Sequence, residues 1–294
     1  MIGYIFAVIS SIFFSLYVIP RKLSKQHPVY FSFFMGIGFF LSSLVLYLLK
    51  PLLGFHETIS PALIWSIVAG IVWATGFVSF VKSIDAIGLT RSNQWKNLQG
   101  PIGVLLSLVI LGEYLTTNPV FALLAGIAVF LSAVFFTVSN SKEEAKVNLN
   151  GVYLAAISGL AFGIVTVINK FVTTEVGVYT QQLVWSLSIV ISLLLYIFSQ
   201  KELAKNIKAT GRKDIVLGLV AGFLYLGASF FMLQSYRYIP ASIGFTIIQL
   251  NGIWTISIGL FVFKEIDSKK YYKRISLGFL FALIGIILLV FARK

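Results

Sequence analysis

Long apolar runs almost free of charge are the feature that most limits the fold of this 294-residue chain. A membrane-spanning helix needs roughly 20 apolar residues, because it must cross about 30 Å of hydrocarbon at about 1.5 Å per residue. This requirement predicts ten helices, at about 2–20, 29–49, 61–83, 90–111, 119–139, 151–171, 178–199, 214–236, 241–263 and 271–291. The sequence therefore predicts an all-α integral membrane protein with the lipid bilayer as its surroundings.

The composition excludes several other classes of protein. Hydrophobic residues make up 58% of the chain and charged residues 11%, too few polar groups to cover a soluble domain. The net charge of +13 lies in short connectors and not along one groove, which argues against a nucleic-acid partner. Cysteine is absent and His27 and His56 stand alone, so we expect no metal, no cofactor and no enzymatic site.

The basic residues predict an orientation in the membrane. Connectors that follow odd-numbered helices carry 17 of the 23 Lys and Arg residues, the opposite connectors carry five, and Lys96 lies inside a predicted span. Positively charged connectors stay in the cytoplasm. Both termini are therefore predicted to lie outside the cytoplasm. The protein itself is predicted to reside in a bacterial inner (cell) membrane.

The second half of the chain repeats the first. Matched pairs at an offset of 152 include Gly70/Gly222, Trp73/Tyr225, Asn97/Gln249, Gln99/Asn251 and Glu113/Glu265, and the first helices match at an offset of 148, as in Lys22/Lys170. Because each copy has an odd number of helices, the copies must have opposite orientations. We predict two inverted five-helix repeats, residues 1–139 and 151–294, joined by a cytoplasmic linker at 140–150.

The segment Gly70–Glu113 contains GIVWATGFVSFVKSIDAIG, then Gln99-Gly100, then VILGE. The second half has Ala221-Gly222, Gln249 and Phe263–Glu265, followed by the basic run Lys269–Arg274. These features resemble the glucose/ribose porter (sugar uptake) branch of the bacterial drug/metabolite transporter superfamily. The resemblance implies a ten-helix permease for a monosaccharide, of a kind often driven by the proton gradient.

Polar residues inside the predicted membrane region gather on the fourth and ninth spans. The fourth span carries Asn93, Lys96, Asn97 and Gln99, and the ninth carries Gln249 and Asn251. Polar side chains in hydrocarbon face the helix bundle or a wet cavity, although hydrogen bonds between helices are the simpler alternative. We expect two amide pairs to face each other, Asn97 with Gln249 and Gln99 with Asn251. Pro101 is expected to leave the Asn97 carbonyl without its helical donor.

Amides and aromatic rings suit a neutral sugar. An amide offers donors and acceptors to hydroxyl groups without the desolvation cost of a charge, and a ring packs on the C–H face of a pyranose. The aromatic candidates are Trp73, Trp95, Tyr225 and Trp254. Ordinary packing or a position at the membrane interface is the alternative for each of them.

Three charged residues have two interpretations each. Lys96 either extends to the interface or pairs with a carbonyl, or it binds an acidic or phosphorylated substrate or titrates during transport. Glu113 and Glu265 lie at the ends of matched spans, on opposite faces of the membrane. They act either as gates that open alternately or as structural charges at helix ends. No acid lies in the middle of a predicted span, so proton coupling and facilitated diffusion both stay open.

The sequence thus predicts a secondary transporter that takes up a small polar solute, most simply a monosaccharide, by alternating access. One alternative within the superfamily is an exporter or importer of amino acids, amines or other metabolites. Alternatives from another class are a non-transporting scaffold and a membrane enzyme.

Overall fold

Helices make up nearly all of the chain. A computed structural model describes residues 1–52, 54, 57, 59–87, 89–136, 148–207, 210–263 and 268–294, so most of the predicted linker at 140–150 lies outside it. The α-helices are α1 Ile2–Leu16, α2 Val18–Leu23, α3 Pro28–Leu49, α4 Ile64–Ile87, α5 Leu89–Lys96, α6 Gln99–Ile110, α7 Pro119–Phe136, α8 Leu149–Glu175, α9 Val178–Ser199, α10 Lys201–Asn206, α11 Arg212–Tyr238, α12 Ala241–Gln249, α13 Asn251–Ser257 and α14 Ser268–Ala292. Within the described ranges, β-structure is limited to one isolated bridge, Thr117 with Arg293.

Caps and prolines set where several helices begin. His27 accepts a hydrogen bond from the Val29 N–H immediately after Pro28 starts α3. Asn118 caps α7 and Asn148 caps α8 in the same way, through their side-chain oxygens. Such caps satisfy N–H groups that have no partner within the helix, which fixes the helix starts beside polar connectors.

In the described part of the chain, nine segments are long and apolar enough to cross a membrane. They correspond to nine of the ten predicted spans, and α1 with α2 forms the first of them. The chain is therefore a multi-pass helical membrane protein. The ten-helix inverted repeat stays a prediction, because the predicted span at 90–111 is divided between α5 and α6 and is not among the nine.

The fourth and ninth predicted spans are both interrupted, at positions matched by the 152 offset. The fourth breaks between Lys96 and Gln99, and the ninth breaks at Leu250. The expectation for Pro101 was wrong in one respect: the Asn97 carbonyl accepts the Gly100 N–H at 3.1 Å, because the chain tightens there into a turn. Proline is not required for such a break, since the ninth span has none.

Helices of the two halves pack in reciprocal pairs. α4 packs on α8 while α11 packs on α1, and α4 packs on α9 while α11 packs on α3. Contacts are closest at matched glycines: a Cβ on Gly222 would lie 2.2 Å from the Met35 carbonyl oxygen, and one on Gly70 would lie 2.4 Å from the Ser188 hydroxyl. The core therefore lies between the halves and not within either one.

Candidate functional site

The two helix breaks meet through a pair of glutamines. Gln99 begins α6 and Gln249 ends α12. The Gln99 Nε2 donates to the Gln249 Oε1 at 3.1 Å, and both side chains are half-buried. No other side-chain partner of either residue occurs in the described part of the chain. The pair therefore leaves one carbonyl oxygen and one amino group for a polar solute.

The other predicted amides lie around this contact. Asn93 and Asn97 on one side and Asn251 on the other are half-buried, and their side chains make no hydrogen bond with a described residue. The expected pairing is shifted by one step, because Gln99 bonds with Gln249 and not with Asn251. Gln99 follows its break and Gln249 precedes its own. The turns at the two breaks nevertheless bring the two side chains into contact.

The first helix of each half holds the opposite break, but by different means. A Cβ on Gly159 of α8 would lie 2.9 Å from the Lys96 carbonyl oxygen, so glycine lets this helix touch the backbone of the break. On α1, Ser15 donates to the Asn251 carbonyl at 3.0 Å, and Ser11 accepts from the Trp254 indole at 3.0 Å. One break is held by close packing and the other by hydrogen bonds.

A central aromatic cluster, Tyr17, Phe39, Trp73, Trp185 and Tyr225, joins the two halves. The matched residues Trp73 and Tyr225 have ring centroids 5.9 Å apart, and Tyr225 also contacts Tyr17 at 5.2 Å and Phe39 at 5.1 Å. Trp73 and Tyr225 are buried. The structure therefore brings these two predicted residues together within the bundle.

Trp95 and Trp254 lie apart from this cluster. The Trp95 side chain is 43% exposed and that of Trp254 is 38% exposed. Trp254 lines a groove on the side of the bundle with Ile12, Leu16 and Phe261. The Trp254 N–H holds α13 against α1.

Lys96 is the last residue of α5, beside the first break, and its ammonium group contacts two aromatic rings. Its Nζ is 5.1 Å from the centre of the Phe80 ring and 5.9 Å from that of Phe162, and Phe162 in turn contacts Trp73. Among the described residues, no carboxylate forms an ion pair with it. The two ring faces stabilise the ammonium group inside an apolar bundle.

Glu113 forms a helix cap between the halves. Gly112 takes the left-handed conformation with φ +66° and ends α6, which turns the following Glu113 inward. The Glu113 carboxylate, 6% exposed, accepts the N–H groups of Ala241 at 2.6 Å and Ser242 at 2.8 Å at the start of α12. This favours the structural alternative for Glu113. Its predicted counterpart Glu265 lies outside the described residues.

Four buried residues of α8 and α9 escaped the sequence-based prediction. Asn169, Gln181 and Gln182 are fully buried, and Trp185 is 1% exposed. Gln181 is fully bonded, to Asn169 and Thr173. The available signal was two consecutive glutamines inside an otherwise apolar span.

The helices and the site define a multi-pass membrane protein with a polar contact between two broken helices. The family described as "Sugar transport protein" matches residues 5–292, so the chain belongs to that family. A "Probable glucose uptake protein GlcU" of Priestia megaterium is 22% identical over 81% of this chain and 83% of its own length. A protein of the same name from Bacillus cereus (strain ATCC 14579) is 21% identical over the full length of both chains.

Comparison with a solved crystal structure of another protein gives information about the fold and not about the function. That structure superposes with a TM-score of 0.73 over 98% of this chain and 96% of that chain, at 11% sequence identity. The shared architecture therefore extends over nearly the whole of both chains, but a likeness at this sequence identity does not identify a substrate.

Proposed function

We propose that this protein takes up a neutral monosaccharide across the bacterial cell membrane by alternating access. The sugar binds where the two helix breaks meet, and the two halves rock about that point. The observation that carries the proposal is the hydrogen bond between Gln99 and Gln249 at matched breaks. Interrupted helices of this kind are a recurrent way to build a transporter's substrate site between two repeats.

Contacts at the two ends of the bundle support ten membrane crossings in two inverted halves. At the predicted outer end, Glu57 accepts N–H groups from Tyr179 and Thr180, and Glu113 accepts those that begin α12. At the predicted cytoplasmic end, Tyr30 donates to the Leu203 carbonyl, and Ser83 donates to that of Gly151. These pairings support a single membrane crossing formed by α5 and α6 together.

The substrate class follows from the donors and acceptors at the breaks. Amides at positions 93, 97, 99, 249 and 251 offer many hydrogen bonds but no formal charge. In the central aromatic cluster, Trp73 and Tyr225 supply apolar ring faces. The family and the names of the relatives point the same way.

Counterflow in proteoliposomes tests this proposal. Purified protein is reconstituted with unlabelled sugar inside, and entry of labelled glucose, ribose or rhamnose is followed. We expect transient accumulation of at least one of these sugars above the level of empty liposomes. Failure with all three would refute the monosaccharide proposal, and an imposed pH gradient separates proton-coupled accumulation from facilitated diffusion.

A transporter of acidic metabolites is the second candidate, and Lys96 is the observation that favours it. Under the main proposal, Lys96→Met keeps glucose counterflow within about fivefold of wild type, because the ammonium rests on Phe80 and Phe162 and its loss removes about 1 kcal/mol of cation–π attraction. Under the second candidate, wild type carries gluconate and Lys96→Met does not. Labelled gluconate and glucose in parallel counterflow assays separate the two.

A further inference from the structure

The buried face of α9 presents two hydrogen-bond donors without acceptors. Gln182 and Trp185 lie one helical turn apart and are 0% and 1% exposed. The Gln182 Oε1 accepts from the Ser229 hydroxyl at 3.1 Å. Neither the Gln182 Nε2 nor the Trp185 Nε1 has a partner in the described part of the chain. Buried donors are nearly always paired in folded proteins, so two neighbouring exceptions call for an acceptor that is not part of the protein.

These donors border the central aromatic cluster. Trp185 is itself a member, with ring centroids 6.3 Å from Tyr225 and 5.7 Å from Phe39. On α11, Tyr225 and the Gln182 partner Ser229 are also one turn apart. The donors and the aromatic rings therefore form one continuous surface, whose other side reaches the helix breaks through Trp73 and Phe162.

The duplicated fold does not require this polar face. α3 and α9 are the second long helices of their halves, and both have 22 residues. At the eighth position α3 has Met35 where α9 has Trp185, and at the fifth it has Ser32 where α9 has Gln182. A feature present in only one copy is better explained by the solute than by the packing of the repeat.

We propose that the Gln182 Nε2 and the Trp185 Nε1 donate to hydroxyl oxygens of the transported sugar. This inference rests on the proposed function and adds to it a subsite on α9. A sugar held there has its ring on the aromatic cluster and two of its hydroxyl groups on α9. Both donors are closed to solvent in the described conformation, so the sugar reaches them when α9 moves away from α3 and α4 of the other half during alternating access.

The test combines two conservative variants with a series of deoxyglucoses. Trp185→Phe keeps an aromatic ring and removes the N–H, and Gln182→Met keeps the length of the side chain and removes the amide. Each is expected to raise the half-saturating glucose concentration for counterflow by about tenfold. For the deoxyglucose that lacks the hydroxyl bound by the deleted donor, the variant and the wild type should have equal half-saturating concentrations.

Gln181→Leu is the matched control, because Gln181 is equally buried but has protein partners for its amide. It should lower the yield of folded protein and leave the half-saturating concentration unchanged. If Gln182→Met does not fold, the half-saturating concentrations of the Trp185→Phe variant alone decide whether the subsite exists. Equal glucose half-saturation in the variants and the wild type, or a uniform rise for all sugars, overturns the subsite. Absence of glucose counterflow in the wild type refutes the proposed function instead.

Discussion

Replacing Glu113 with alanine is expected to destabilise the folded protein by about 2–4 kcal/mol, because two buried N–H groups lose a charged acceptor. These are the first N–H groups of α12, and the carboxylate that caps them comes from the other half of the chain. The carboxylate also interacts electrostatically with Lys170. Thermal unfolding in detergent, followed by size-exclusion chromatography, measures the loss.

Glu113→Gln should retain part of the stability, since an amide oxygen still accepts a hydrogen bond. Glu175→Ala is the matched control, because Glu175 is an exposed carboxylate at the same predicted end of the bundle. A Glu113→Ala protein as stable as Glu175→Ala would contradict the capping role. A stable Glu113→Gln protein that binds sugar but no longer transports it would favour the gating alternative.

Leucine at Gln99 or Gln249 is expected to lower glucose counterflow by at least about tenfold while the protein still folds. Each change removes the hydrogen bond between the halves and one of the groups left for the sugar. A lost hydrogen bond in a binding site costs about 1.4 kcal/mol, or a factor of about ten. Initial counterflow rates, normalised to the amount of monodisperse protein, give the effect.

The double variant Gln99→Leu/Gln249→Leu shows whether the two residues act together. Because they bond to each other, the combined loss should be smaller than the product of the single losses. Gln200→Leu serves as the control, since Gln200 is exposed at the end of α9. Wild-type rates in both single variants would remove the glutamine pair from the site.

The sequence predicted the helices well because length and hydropathy decide what can cross a bilayer. It did not predict the two breaks. Leu98 and Leu250 occupy them, and leucine favours helix, so the residues at the breaks themselves did not indicate the turns. Pro101 was the one local signal, and it lies after the break that it helps to form.

Part of the candidate site was also open to prediction. Polar residues on the fourth and ninth spans stood out against an apolar background, and Gln99 and Gln249 do meet. The cap formed by Glu113 did not stand out, because it joins residues 128 positions apart in sequence. Gln182 and Trp185 were missed because their missing partners become visible only when the neighbouring helices are known.

Cysteine protection shows whether a sugar binds at the contact between the two breaks. The chain has no cysteine, so Asn251→Cys introduces a single thiol at the site, and Thr255→Cys places one a turn further along α13 on an exposed surface. Both variants are first shown to perform glucose counterflow. The rate of alkylation by a membrane-permeable maleimide is then measured with D-glucose and with L-glucose.

D-glucose should slow alkylation at position 251 severalfold and leave position 255 unchanged, while L-glucose protects neither. An alkylation rate at position 251 that D-glucose leaves unchanged, in a variant that carries out glucose counterflow, would show that the sugar binds elsewhere.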